Sequence, residues 1–100
     1  MEELIKIVKR ELKITWKDED TDAEVEALVS DAVPAMNHKL GIKEEDSNYT
    51  KAGAERRLFI NYCQYAWNNC LNDFDKAYIN EIMQLRAKHE VKYAKRNEDL

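Results

Sequence analysis

Residues that interrupt helices are almost absent from this chain of 100 residues, which contains two glycines and one proline. Sandwiches and barrels of many short strands need frequent turns, which are usually built on such residues. Hydrophobic residues make up 44% of the chain, more than intrinsically disordered segments usually contain. Domains typically span roughly 100–150 residues, so a chain of this length forms one domain at most. We predict one all-α domain over residues 1–96 and a frayed tail over residues 97–100.

Apolar residues recur at helical spacing in four segments. The second segment opens with Thr21 and Glu24, which form a capping-box pair, and ends at Gly41, which suits the left-handed position after a helix. Pro34 lies inside this segment and predicts a bend. Residues 43–50 are polar, so we predict a small bundle of about four helices with a long polar loop between helices 2 and 3. The predicted helices are Glu2–Leu12, Thr21–Leu40, Lys51–Asn72 and Phe74–Lys95.

The stretch between the first two predicted helices changes in character. Ile14-Thr15-Trp16 combines two β-branched residues with an aromatic residue, and we predict that it leaves the helix and covers the core. The residues that follow, 17–20, are charged and predict a polar turn.

No motif for catalysis or metal binding is found. Cys63 and Cys70, seven residues apart on one predicted helix, stand about 10 Å apart along its axis, too far for a disulfide. We interpret both as reduced, small buried side chains. His38 and His89 lack the spacing of zinc ligands, and the acidic residues 18–22 lack the central glycine of a calcium loop. We therefore predict that the chain is not an enzyme and has no catalytic residue, no cofactor and no metal site.

The hydrophobicity of the chain also bears on its location. No apolar run approaches the roughly 20 residues of a transmembrane helix. The first 17 residues carry charges every few positions, unlike a signal peptide. We therefore expect the protein to be made and folded in a cytoplasm.

Charge is distributed unevenly along the chain. Residues 18–50 contain ten acidic and two basic side chains, whereas residues 1–17 and 51–100 each have a net charge of +2. This acidic block is either a solvated helix face or one half of a complementary pair of surfaces that meet between copies of the chain.

Three parts of the sequence resemble head–tail connector proteins of long-tailed, double-stranded-DNA bacteriophages. The stretch Glu11–Asp20 (ELKITWKDED) resembles the opening of that family. Ala27–Ala32 and then Lys39-Leu40-Gly41 resemble its second helix. Gln84-Leu85-Arg86-Ala87 matches three of the four residues of its Gln-Leu-Arg-Gly motif, with Ala87 as the departure. The likeness follows the family's order over nearly the whole chain.

The resemblance implies a structural protein of the virion. Such connectors assemble as rings of about a dozen copies beneath the portal, extend the DNA channel and join the head to the next neck or tail protein. It implies a head–tail junction location after assembly in the host cytoplasm, with DNA passing through the ring without sequence-specific binding and no membrane contact. The fourth predicted helix extends beyond its core pattern, which suits contact with a neighbour. We predict interface residues at Gln84, Leu85, Arg86, Lys88 and Lys92, with Arg86 pairing with a carboxylate.

Two alternatives remain open at this point. A small DNA-binding or regulatory domain would use its basic helix ends and bind DNA in a salt-sensitive way. The second alternative is a helical adaptor protein of cellular origin, and no motif in the sequence distinguishes it from a connector. The basic residues of the DNA-binding alternative are Lys6, Lys9, Arg10, Lys88, Lys92, Lys95 and Arg96.

Overall fold

A computed structural model describes residues 1–14 and 18–98 of the chain. Over these residues the fold is all-α and contains no strand. Within the described ranges, five α-helices replace the predicted four, and two short 3-10 helices, Glu44–Asp46 and Leu71–Asp73, lie in the connections. The α-helices are α1 (Glu2–Glu11), α2 (Glu19–Leu40), α3 (Ala54–Trp67), α4 (Phe74–Ala77) and α5 (Ile79–Glu98).

The start of α2 differs from the prediction. Asp18, rather than Thr21, is the N-cap residue, and its carboxylate accepts hydrogen bonds from the Asp20 backbone N–H at 3.4 Å and the Thr21 hydroxyl at 3.2 Å. Aspartate caps a helix as well as threonine does, and Asp18 has the extended backbone that an N-cap residue needs. The predictions for Thr15 and Trp16, and for the turn at Lys17, fall outside the described residues.

The end of α2 confirms the prediction made for Gly41. This residue has φ 67° and ψ 38°, a left-handed conformation. Its N–H donates to the His38 carbonyl, and the Ile42 N–H donates to the Asn37 carbonyl at 2.9 Å, which is the bond that defines a Schellman motif. Pro34 lies inside α2, and the helix continues on both sides of it.

The polar loop between α2 and α3 contributes to the core through Tyr49, which is only 2% exposed. Its ring stacks on Phe59 with centroids 4.5 Å apart, and its hydroxyl donates to Oδ1 of the buried Asn37 at 2.7 Å. The loop is therefore fixed to both neighbouring helices by one aromatic side chain.

Helix α3 is shorter than predicted and ends at Trp67. Asn69 then adopts a left-handed conformation with φ 59°, so the chain turns before Cys70. The prediction that both cysteines are buried on one helix is correct for Cys63 and wrong for Cys70, which is exposed beyond the helix end. Burial raises the pKa of the Cys63 thiol to about 12.

The fourth predicted helix is divided at Tyr78, which has φ −118° and ψ 21° and ends α4. Phe74 is 1% exposed, and the rings of Tyr62, Tyr65 and Tyr78 surround it. This aromatic cluster fixes the short helix α4 against α3 and explains the division. The last helix continues through Glu98, whereas Asp99 and Leu100 fall outside the described residues.

Candidate interaction surface on helix α5

One face of α5 belongs to the core. Ile82, Leu85 and His89 are buried and Tyr93 is half-buried, at the spacing of three and four residues that defines one helix face. The prediction that the C-terminal part of this helix extends beyond the core is therefore wrong as far as Tyr93. The loop after α2 covers this part of the helix.

Asp46 in that loop receives two hydrogen bonds from α5. The Tyr93 hydroxyl donates to Asp46 Oδ2 at 2.9 Å, and Arg96 Nη1 donates to the same oxygen at 2.8 Å. The Lys43 backbone N–H donates in turn to the Tyr93 hydroxyl at 3.0 Å. The hydrogen bonds from Tyr93 and then Arg96 lower the pKa of Asp46. These contacts hold the loop on α5.

Glu55, in the first turn of α3, forms a second connection. Its Oε2 lies 2.6 Å from Lys88 Nζ and 3.1 Å from His89 Nε2. Burial alone would raise the pKa of Glu55, but hydrogen bonds from Lys88, its own backbone N–H and His89 lower it overall. His89 Nδ1 is buried and has no hydrogen-bond partner in the described part of the chain. A cleft of about 480 Å³, partly lined by Lys92, lies between the loop, the start of α3 and this face of α5.

The opposite face of α5 has no partner among the described residues. Ile79, Met83 and Val91 are 48%, 60% and 58% exposed, and Ala87 and Ala94 are exposed as well. Since residues four apart lie on the same side of a helix, these five form one continuous apolar strip, the α5 stripe. Ile79 and Met83 are as apolar as Ile82 and Leu85 but face outward. Both faces of the helix are apolar, so periodicity alone did not separate them.

The central predicted interface residues lie at the middle of α5. Gln84 is exposed and lines a shallow groove against α3. Leu85 is 8% exposed and makes its contacts within the subunit. Arg86 is exposed, and its Nε lies 3.5 Å from Glu90 Oε1, so its carboxylate partner is one helical turn away. Gln84 and Arg86 are therefore exposed on the surface of α5, whereas Leu85 is buried beneath it.

Many basic side chains are already paired within the chain. Lys88 bonds to Glu55, whereas Lys92 is exposed at the edge of the cleft. Four of the seven basic residues proposed for DNA binding are in ion pairs: Lys9 with Asp22, Arg10 with Glu11, Lys88 with Glu55, and Arg96 with Asp46.

Other classes of site receive little support from the geometry. Among residues 1–14 and 18–98, no three histidine, cysteine or carboxylate side chains are grouped so that they could hold a metal ion. No helix in this part of the chain is both long and apolar enough to span a membrane. Comparison with models of known protein families, with curated proteins and with solved structures finds no significant match. The sequence motifs and the α5 stripe are therefore the features of the chain that bear on its function.

Proposed function

We propose that this chain is a head–tail connector subunit of a long-tailed, double-stranded-DNA bacteriophage or prophage. In this role it forms a ring under the portal, extends the DNA channel and joins the head to a neck or tail protein. The observation that carries the proposal is the α5 stripe, which exposes three large apolar side chains beside the Gln84-Leu85-Arg86-Ala87 motif. Single exposed apolar residues are ordinary on protein surfaces, but a continuous strip of them is typical of an interaction site.

The support around α5 fits this role. The Asp46 and Glu55 contacts fix the inner face of the helix to the loop and to α3. A rigid helix loses little conformational freedom on binding, so more of its contact free energy is available for assembly. The outer face is therefore presented to a neighbour in a defined orientation.

The ion pairs within the chain favour the connector over the DNA-binding alternative. A DNA-binding protein gains affinity when its lysines and arginines release counterions from phosphates. Here Lys9, Lys88 and Arg96 already neutralise carboxylates of the same chain, and Arg10 lies within 4.0 Å of one. We expect no retardation of duplex DNA in a gel even at about 50 mM salt, where such binding is strong.

The proposal is tested by assembly on a portal. The chain is co-expressed with the portal protein encoded in the same genome, and the purified complex is examined by light scattering and electron microscopy. We expect a ring of this chain beneath the portal ring. We expect the double substitution Met83→Glu and Val91→Glu to abolish the ring, because it places charges on the α5 stripe.

Leu71→Glu is the matched control, since Leu71 is also a large exposed apolar residue (42%) but lies outside α5. It should leave the complex intact, and circular dichroism should show that all variants remain helical. A folded wild-type chain that never associates with portal would overturn the proposed function.

A further inference from the structure

We infer that the α5 stripe of one subunit packs on the outward face of α2 in a second copy of this chain. The inference rests on the proposed function and names the two surfaces that meet between neighbours in the ring. It goes beyond that function because a ring could be built from other faces.

The outward face of α2 has the shape that such packing needs. Ala23, Ala27, Ser30 and Pro34 are exposed on one side of the helix, at intervals of three and four residues. Small side chains let a second helix approach closely, and the larger side chains of that helix then fill the spaces between them. The three large side chains of the α5 stripe complement this flat surface.

The charges beside the two surfaces are opposite. Along α2, the exposed carboxylates Glu24, Glu26 and Asp31 form no ion pair in the described part of the chain. Beside the C-terminal half of the stripe, α5 exposes Lys95, which likewise forms none there, and Glu90 on the other side of the stripe is already paired with Arg86. Charge complementarity of this kind steers association and fixes the register of the contact.

The topology favours a head-to-tail contact over a symmetric one. Since α2 and α5 pack together through their buried faces, their outward faces are turned away from each other. Each subunit therefore offers one surface on each side, as a ring requires. Symmetric pairing of two α5 stripes would instead bring Lys88 and Lys95 of both copies close together, and like charges oppose such pairing.

Disulfide trapping distinguishes these arrangements. The exposed Cys70 is first changed to serine, and Ala27→Cys and Ala87→Cys are then introduced singly and together. Each protein is oxidised at near-millimolar concentration, with and without portal, and separated on a non-reducing gel. We expect a ladder of covalent multimers from the double-cysteine chain and almost none from either single-cysteine chain. A covalent dimer from Ala87→Cys alone, or no ladder from a double-cysteine chain that still forms rings, overturns the inference.

Charge reversal provides a second measurement that does not depend on thiol geometry. Lys95→Glu, and separately Glu24→Lys with Asp31→Lys, should each weaken ring formation on portal roughly tenfold or more. Combining all three substitutions in one chain should restore it, because the charges are then reversed on both sides of the contact. The control for Lys95→Glu is Lys76→Glu, which makes the same change of net charge at an exposed site elsewhere.

The outcomes separate the two proposals. If the wild-type chain forms rings and both charge-reversed variants form them as well as the control does, the α2–α5 contact is overturned and the connector function stands. A wild-type chain that forms no ring on portal overturns the connector function, and the contact with it.

Discussion

Replacing Tyr49 by phenylalanine removes the side-chain hydrogen bond that links Tyr49 in the loop to Asn37 in α2. The hydroxyl of Tyr49 donates to Asn37 Oδ1 at 2.7 Å, and these residues are 2% and 8% exposed. The substitution keeps the ring that stacks on Phe59 but leaves a buried carbonyl oxygen without a donor, which costs about 1–3 kcal/mol. For a domain of this size each kcal/mol lowers Tm by about 4–8 °C, so we expect Tm to fall by at least about 4 °C.

Thermal and urea unfolding followed by circular dichroism measures this effect. Tyr62→Phe is the control, because Tyr62 is a tyrosine that packs partly buried against the same core but its hydroxyl forms no hydrogen bond in the described part of the chain. Adding Asn37→Leu to Tyr49→Phe removes both polar partners, and the double variant should lose less stability than the two single variants together. If Tyr49→Phe and Tyr62→Phe unfold at the same temperature, the bond does not stabilise the fold and the reasoning is refuted.

Three further predictions concern the turn after α2, the thiols and the Glu55 cluster. Gly41→Ala should cost about 1–2 kcal/mol in urea unfolding because φ is +67°, and Gly41→Asn should cost less; equal stability of glycine and alanine would contradict this. In the native protein a thiol reagent such as Ellman's should react with Cys70 alone, and Cys63 should react only after unfolding. Rapid reaction of both thiols in the native protein would contradict the burial of Cys63. The lowered pKa of Glu55 stabilises the fold above the ordinary value of 4.5, and this stabilisation is lost as pH falls through the lower folded-state pKa. Glu55→Gln should therefore destabilise the protein more near neutral pH than well below pH 4.5, and a loss independent of pH would refute the ion-pair argument.

Local chemistry made some features of the fold predictable from sequence. The end of α2 was predicted because a glycine directly after a helical pattern has few alternatives to the left-handed conformation. The predicted start of the same helix was wrong because Asp18 and Thr21 are both good N-cap residues. Each is followed by acidic residues that suit a first turn. When two caps compete, the choice depends on where the preceding chain enters the fold.

Tertiary contacts determine the features of the fold that the hydrophobic pattern of the sequence did not predict. Tyr49 lies in a polar stretch without periodicity, and its burial depends on the positions of Phe59 and Asn37 on two different helices. In α5, Ile82 faces the core and Ile79 faces outward, although both are equally apolar. Because both faces of α5 are apolar, the sequence pattern alone does not show which face packs in the core and which is free to bind a partner.

The size of the α5 stripe sets how assembly should proceed. Burying a whole side chain of this kind contributes about 1.5–3 kcal/mol, and Ile79, Met83 and Val91 are about half exposed, so together they contribute roughly 3 kcal/mol. Joining two free proteins costs an estimated 4–15 kcal/mol of translational and rotational freedom, so the stripe alone does not hold two subunits together. A subunit already bound to a portal meets its neighbour at a high effective concentration, and ring closure gives it two such contacts. We therefore expect a monomer in dilute solution and a ring only on the portal. A stable ring formed by the free chain in dilute solution would require a larger contact surface than the stripe provides.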